Sequence, residues 1–155
     1  MTINPKYGGS RGYTLVEMMI VLVVVGVMIS FGIPQFSRAL EQARADVAGA
    51  NLRAIWTAER IYWLDNRTYL PPGGVTTSLN VLVSLNLLDP SILSDPYYTY
   101  LVTEADTATF TATAQRAGNG SWSSGTSPFT ITQDGGLITG TLTCGDQAPI
   151  VVGFQ

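Results

Sequence analysis

Apolar residues run almost unbroken from Tyr13 to Ile33, a length of 21 residues. As a helix this is roughly 30 Å, enough to cross the hydrocarbon core of a bilayer. From Gln35 the pattern stays helical but turns amphipathic. Phe36, Leu40, Ala43, Val47, Ala50, Ala54, Ala58 and Ile61 recur at spacings of three and four, which predicts a helix to about Asp65 with this stripe toward the rest of the chain. Arg38, Glu41 and Arg44 then pair at helical spacing on the other side. Leu70-Pro71-Pro72-Gly73-Gly74 signals a turn. A short helix is expected over 79–88, ending at Asp89-Pro90.

Beyond residue 96 the period changes to two. Residues 98–102 and 109–113 are rich in β-branched and aromatic side chains, as strands are. Residues 129–132 and 137–139 flank Gln133-Asp134-Gly135-Gly136, a strong turn signal. Residues 149–154 supply a further edge strand. The expected fold class is α+β: a long N-terminal helix packed on a small antiparallel sheet of about four strands. Trp56, Tyr62, Trp63 and Tyr69 are expected to pack helix against sheet. Residues 118–127, nearly all Gly, Ser, Thr and Asn, read as an exposed, mobile loop.

Charge placement adds direction. Charged residues are only 12 % of the chain. Lys6 and Arg11 precede the apolar run, which favours a cytoplasmic N-terminus and a translocated C-terminus. From residue 68 onward Arg116 is the one basic residue, against Asp89, Asp95, Glu104, Asp106, Asp134 and Asp146. An acidic head offers no broad attraction to nucleic acid, and none is expected as a partner.

Candidate chemistry is sparse. Without histidine there is no Ser-His-Asp or Cys-His arrangement and no histidine metal site. No glycine motif cradles a phosphate. The chain is read as no enzyme and as needing no cofactor. A calcium site from Asp95, Asp134 and Asp146 is a weak possibility, because loop oxygens suit that ion; solvated loop acids are the plainer reading. Cys144 is the single cysteine, so no internal disulfide forms. It reads as a small buried hydrophobe.

One residue breaks the apolar run. Glu17 lies near its start, and a carboxylate inside a spanning segment costs several kcal/mol, about 2.5–3.5 on insertion scales. A plain anchor has no use for it. Gly12-Tyr13-Thr14-Leu15-Val16-Glu17-Met18-Met19-Ile20, following Arg11, resembles the cleavage and methylation signal of type IV pilins and of the pseudopilins of type II secretion. The resemblance is specific over residues 11–36 and looser to about residue 72. It implies that a prepilin peptidase cuts between Gly12 and Tyr13 and that Tyr13 becomes the N-methylated terminus. Glu17 takes the place of the family's glutamate, with an assembly role through the Tyr13 amine of a neighbouring subunit. Phenylalanine is commoner than tyrosine at the new terminus. Many pilins of this type also close a C-terminal loop with a cysteine pair, which this chain lacks. The major pseudopilins carry a calcium site, of which Ser94-Asp95-Pro96-Tyr97 is only a faint echo.

The implied layout is a cleaved cytoplasmic leader over 1–12, a transmembrane and filament-core helix over 13–34, an amphipathic half over 35–67 and a β head with its connecting loop over 68–155. Gly32 and Pro34 are expected to kink the helix or let it extend. Gly26 and Ser30 share a face that allows close helix approach. Implied partners are further copies of the chain in a homopolymer or mixed filament, the prepilin peptidase, an inner-membrane assembly platform and the membrane itself. The implied location is the bacterial inner membrane, single pass with the head periplasmic, before assembly into a surface or periplasmic filament. A type IV pilus subunit is favoured over a pseudopilin or a minor pilin. A membrane-anchored binding module that never polymerises is the reading outside the family.

Overall fold

The computed structural model describes residues 12–70, 78–118, 121–124 and 127–153, apart from the side chains of 31–34. Helix α1 spans Leu15–Asn66. The chain divides into two compact units, Met1–Arg38 and Ala39–Gln155. In the first, every described side chain is exposed. The second holds the core.

Helix α1 starts at Thr14, whose Oγ1 accepts the Glu17 amide at 3.2 Å. It stops because Arg67 takes φ 58°, and the Arg67 amide closes the last turn on the Trp63 carbonyl at 2.8 Å. Its bounds enclose Gly32 and Pro34, so the backbone there is helical and not extended; a kink remains a proposal.

Helix α2, Ser78–Ser84, is shorter than the expected 79–88. Asn86 adopts φ 57°, its amide reaches the Val83 carbonyl, and the Leu87 amide reaches the Leu82 carbonyl at 2.9 Å. These two bonds are a Schellman ending with asparagine in the left-handed position. Asp89 then caps a 3-10 turn over Pro90–Ser94, its side chain accepting the Ser91 amide at 2.8 Å.

Strands β1 (Tyr98–Ala105), β2 (Phe110–Arg116) and β3 (Phe129–Thr132) form an antiparallel sheet in that order. Alternation sends Tyr98, Tyr100 and Val102, with Phe110, Ala112, Ala114, Phe129 and Ile131, into the core. The sheet has three strands, not about four. Residues 137–139 and 149–154 were expected as strands; among the described residues they make only isolated bridges, Thr130 to Thr139 and Leu142 to Ile150. Gly140 explains the break. Its φ is 115° and an added Cβ would lie 2.1 Å from the Pro128 carbonyl oxygen, so the chain turns where a ladder would have continued. The turn at 133–136 is as expected, with the Gly135 amide bonded to the Thr132 carbonyl at 3.0 Å.

The helix face against the sheet differs from the expected stripe. Ala43, Val47, Ala50, Ala54 and Ile61 are exposed, and only Ala58 of that set within the second unit is buried. The buried face is Glu41, Ala45, Ala48, Gly49, Leu52, Ile55, Ala58 and Glu59. This helix carries two stripes of helical period, and the head takes the one through Ala45, Ala48, Leu52 and Ile55. Val152 packs into the notch at Gly49, where an added Cβ would lie 2.5 Å from its Cγ1. The tail is held there by Gln42 Nε2 on the Val151 carbonyl and by the Gly153 amide on Asp46 Oδ1, both at 2.8 Å. No cysteine pair is needed to fix it.

Trp56, Tyr62 and Trp63 are half-buried against the core and Tyr69 is buried, as expected. The indoles of Trp56 and Trp63 donate to the carbonyls of Gln133 and Thr107, each at 3.0 Å. The 118–127 loop is not simply exposed: Trp122 and Ser124 are buried, and Ser123 bridges Thr143. Cys144 is half-buried beside the core, less enclosed than expected.

Candidate functional site: the start of an exposed apolar helix

Lys6 and Arg11 lie outside the described residues. Gly12 and Tyr13 are described, both exposed, the latter 75 % so. The helix that follows is long and apolar enough to cross a membrane, and among the described residues none of its apolar window is buried. Leu15, Leu22 and Met28 are each at least 70 % exposed. Exposed apolar surface of this extent is unfavourable in water, so the segment requires lipid or other chains around it. Gly26 has open space where a Cβ would stand, so a close helix neighbour meets no obstacle there.

Glu17 has no side-chain partner among the described residues. Its backbone does have one, because Thr14 caps the helix through the Glu17 amide. The Thr14-x-x-Glu17 spacing is that of a capping box, a signal legible in the sequence. An acid in the first turn also suits the positive end of the helix dipole. These local effects explain why a helix starts here. They do not give the carboxylate a counter-charge.

In the head, polar side chains tie helix to sheet. Glu41 is 4 % exposed. Arg116 donates to it from Nε at 3.3 Å and from Nη2 at 3.0 Å, and Arg44 donates from its own helix. Burial alone would push the Glu41 carboxyl up. The hydrogen bonds and charges of Arg116 and Arg44 outweigh it and hold the group below its ordinary value. Glu41 pairs with Arg44 at helical spacing, as expected, but on the buried face, where it is also the counter-ion of Arg116. Tyr97 lies between the two guanidiniums, 4.1 Å from Arg44 and 5.4 Å from Arg116. Beside it runs an apolar groove of about 230 Å³ lined by Leu40, Ala43, Val47 and Tyr97.

Of the calcium candidates, Asp95 accepts the Tyr97 and Tyr98 amides at 2.8 and 3.2 Å and the Tyr100 hydroxyl at 2.8 Å. Asn51 completes the link by donating to the Tyr100 hydroxyl at 2.9 Å. Asp134 and Asp146 are exposed turn residues. Among the described residues no three acidic, histidine or cysteine side chains converge in a way that could hold a metal ion.

Comparison with known proteins bears on the helix start. Residues 8–33 match the prokaryotic N-terminal methylation motif. The type IV major pilin protein PilA of Myxococcus xanthus is 32 % identical over 66 residues, 43 % of this chain and 29 % of that protein. The type II secretion system core protein G of Pseudomonas aeruginosa is 38 % identical over 58 residues, 37 % of this chain and 41 % of that protein. Core protein G of Klebsiella pneumoniae is 32 % identical over 91 residues, 59 % of this chain and 63 % of that protein. The matched part is thus less than two thirds of each relative's length. With that motif on an exposed apolar helix, the chain is a homologue, over its N-terminal part, of type IV pilins and type II secretion pseudopilins.

Proposed function

We propose that the chain is a prepilin, a structural subunit cut after Gly12 by a prepilin peptidase, N-methylated at Tyr13 and polymerised through its N-terminal helix. The observation that carries this reading is the pairing of an uncovered apolar helix with a single unpartnered carboxylate, Glu17, near its start. Cleavage would create an amine on Tyr13. In a bundle of staggered helices that amine would meet Glu17 of a neighbour, and an unpaired member would be heavily penalised, which selects one register. Lys6 and Arg11 would keep the leader cytoplasmic and direct the head to the periplasm. An inner-membrane assembly platform would draw the processed subunits into the filament. Gly32 and Pro34 would be the place where the helix bends.

Between the two kinds of subunit, a type IV pilus subunit is favoured, because the sequence holds no clear copy of the pseudopilin calcium-loop pattern, of which Ser94-Asp95-Pro96-Tyr97 is only a faint echo. The second reading is a pseudopilin. It is favoured by the relatives named core protein G, one of which matches over the larger share of this chain.

Intact mass and N-terminal sequencing of protein sheared from cells, compared with protein left in the membrane, test the proposal. A methylated Tyr13 start in the sheared fraction supports the pilus subunit. The same end confined to the membrane favours a pseudopilin or minor subunit. An unprocessed Met1 start in both fractions sinks the prepilin reading and leaves an anchored binding module. Glu17→Leu is expected to abolish assembly while leaving the protein in the membrane.

A further inference from the structure

The head buries a second glutamate that the proposed assembly does not use. Glu59 has 0 % exposure. One oxygen, Oε2, accepts the Leu70 amide at 3.1 Å. The other, Oε1, is buried with no hydrogen-bond partner. A carboxylate has about four acceptor sites to fill, so an ionised Glu59 is badly under-satisfied here.

Among the described residues no cation compensates. Burial raises the proton affinity of Glu59, to a pKa of about 7, and the Leu70 amide alone opposes it; no charged group enters the balance. On α1, Arg60 is exposed and turned to the Gln133 carbonyl and the Trp56 ring. Asp65 is exposed as well. Beside the Tyr69–Leu70 segment, the Asp106 carbonyl accepts the Tyr69 amide, while its exposed carboxylate is occupied by the Ala108 and Thr109 amides at 2.7 Å.

Leu70 and its neighbour Tyr69 are themselves buried, and the Tyr69 ring packs tilted against Phe110 on β2, with centroids 4.8 Å apart. The Glu59 side chain therefore sits between the end of α1 and the chain that leaves it. We propose that Glu59 is a proton-operated latch: when neutral it stays in the core and holds the Leu70 amide, and when it loses its proton it is driven toward water and frees the Tyr69–Leu70 segment.

The direction follows from linkage. A carboxyl that binds its proton more tightly when folded contributes stability that is fully present below its ordinary value of 4.5. That stability is lost as pH rises toward the folded value of about 7 and changes no further above it. The latch is closed in acid and loosened at neutral pH.

Hydrogen exchange of the Tyr69 and Leu70 amides tests this, on the full chain in detergent micelles and with rates corrected for intrinsic exchange. The opening equilibrium of wild type is expected to rise about ten-fold per pH unit between roughly 4.5 and 7, then to level off. Glu59→Gln, which keeps an acceptor but no titration, is expected to be flat across the same range. A flat wild type overturns the proposal, and so does a Gln variant that keeps the wild-type slope. If the variant does not fold, a carboxyl carbon-13 titration of wild type decides: a glutamate titrating near 7 in step with Leu70 opening supports the latch, and its absence overturns it.

Discussion

The two ends of the head's helix bury the same side chain in opposite ways. Near Ala39, Glu41 is enclosed with two guanidiniums, its charge kept and its proton affinity lowered. Near Asn66, Glu59 is enclosed with one backbone amide and no cation, and its proton affinity is raised. Burial acts on both in the same direction. The difference is the partner. A buried carboxylate with arginine remains an ion pair and fixes geometry; one without it becomes an acid whose burial depends on keeping its proton. Acid therefore weakens the first end and strengthens the second. Stability from Glu41 is present above its ordinary value and lost as pH falls through its depressed one, whereas stability from Glu59 is lost as pH rises toward 7.

The contrast can be broken most severely at Glu41. Glu41→Ala leaves Arg116 buried without its carboxylate and is expected to cost about 3–5 kcal/mol, read from denaturant unfolding of the full chain in micelles. The Glu41→Ala, Arg116→Ala double variant should cost clearly less than the sum of the two singles; additive losses would mean the pair is not coupled. At the other end the sign reverses. Above pH 7, Glu59→Gln should stabilise the chain by about 3 kcal/mol, and the gain should vanish in acid; a loss at both pH values would show that the carboxyl is favourable when charged.

Gly49→Ala acts on the Glu41 end alone. The added methyl overlaps Val152, so the C-terminal tail should lift, at about 1–2 kcal/mol. Carboxypeptidase trimming at the tail should accelerate, while the pH response of Leu70 stays as in wild type. The smallest effect is expected for Arg44→Ala. Arg44 is partly exposed, and Arg116 still holds Glu41. A loss below about 1 kcal/mol is expected, and a larger one would move the weight of the ion pair from Arg116 to Arg44.

Much of the layout is legible in the residue pattern. The length of the apolar run, the lone Glu17 within it, the period change beyond residue 96 and the Gln133-Asp134-Gly135-Gly136 turn are local properties, and each predicts its element without reference to anything distant. Even the helix start, Thr14 with Glu17, is written in the capping-box spacing. Local signals failed where two local answers were equally good. Helix α1 carries one stripe through Leu40, Ala43 and Val47 and another through Ala45, Ala48 and Leu52, both of helical period. Helical spacing cannot say which meets the sheet.

The sequence by itself determined that there is a long helix with an apolar first half, a β head behind it and a family signal at residues 8–33. These rest on interactions between residues a few positions apart, which spacing records. Only the tertiary structure decided that Arg116 reaches Glu41 across 75 positions. It alone decided that Val152 fills the Gly49 notch and that Glu59 is buried beside Leu70 with no counter-charge. Those outcomes depend on which surfaces of separate elements come together. The free energy that chooses among them, of packing, desolvation and paired charge, exists only once the elements are in contact.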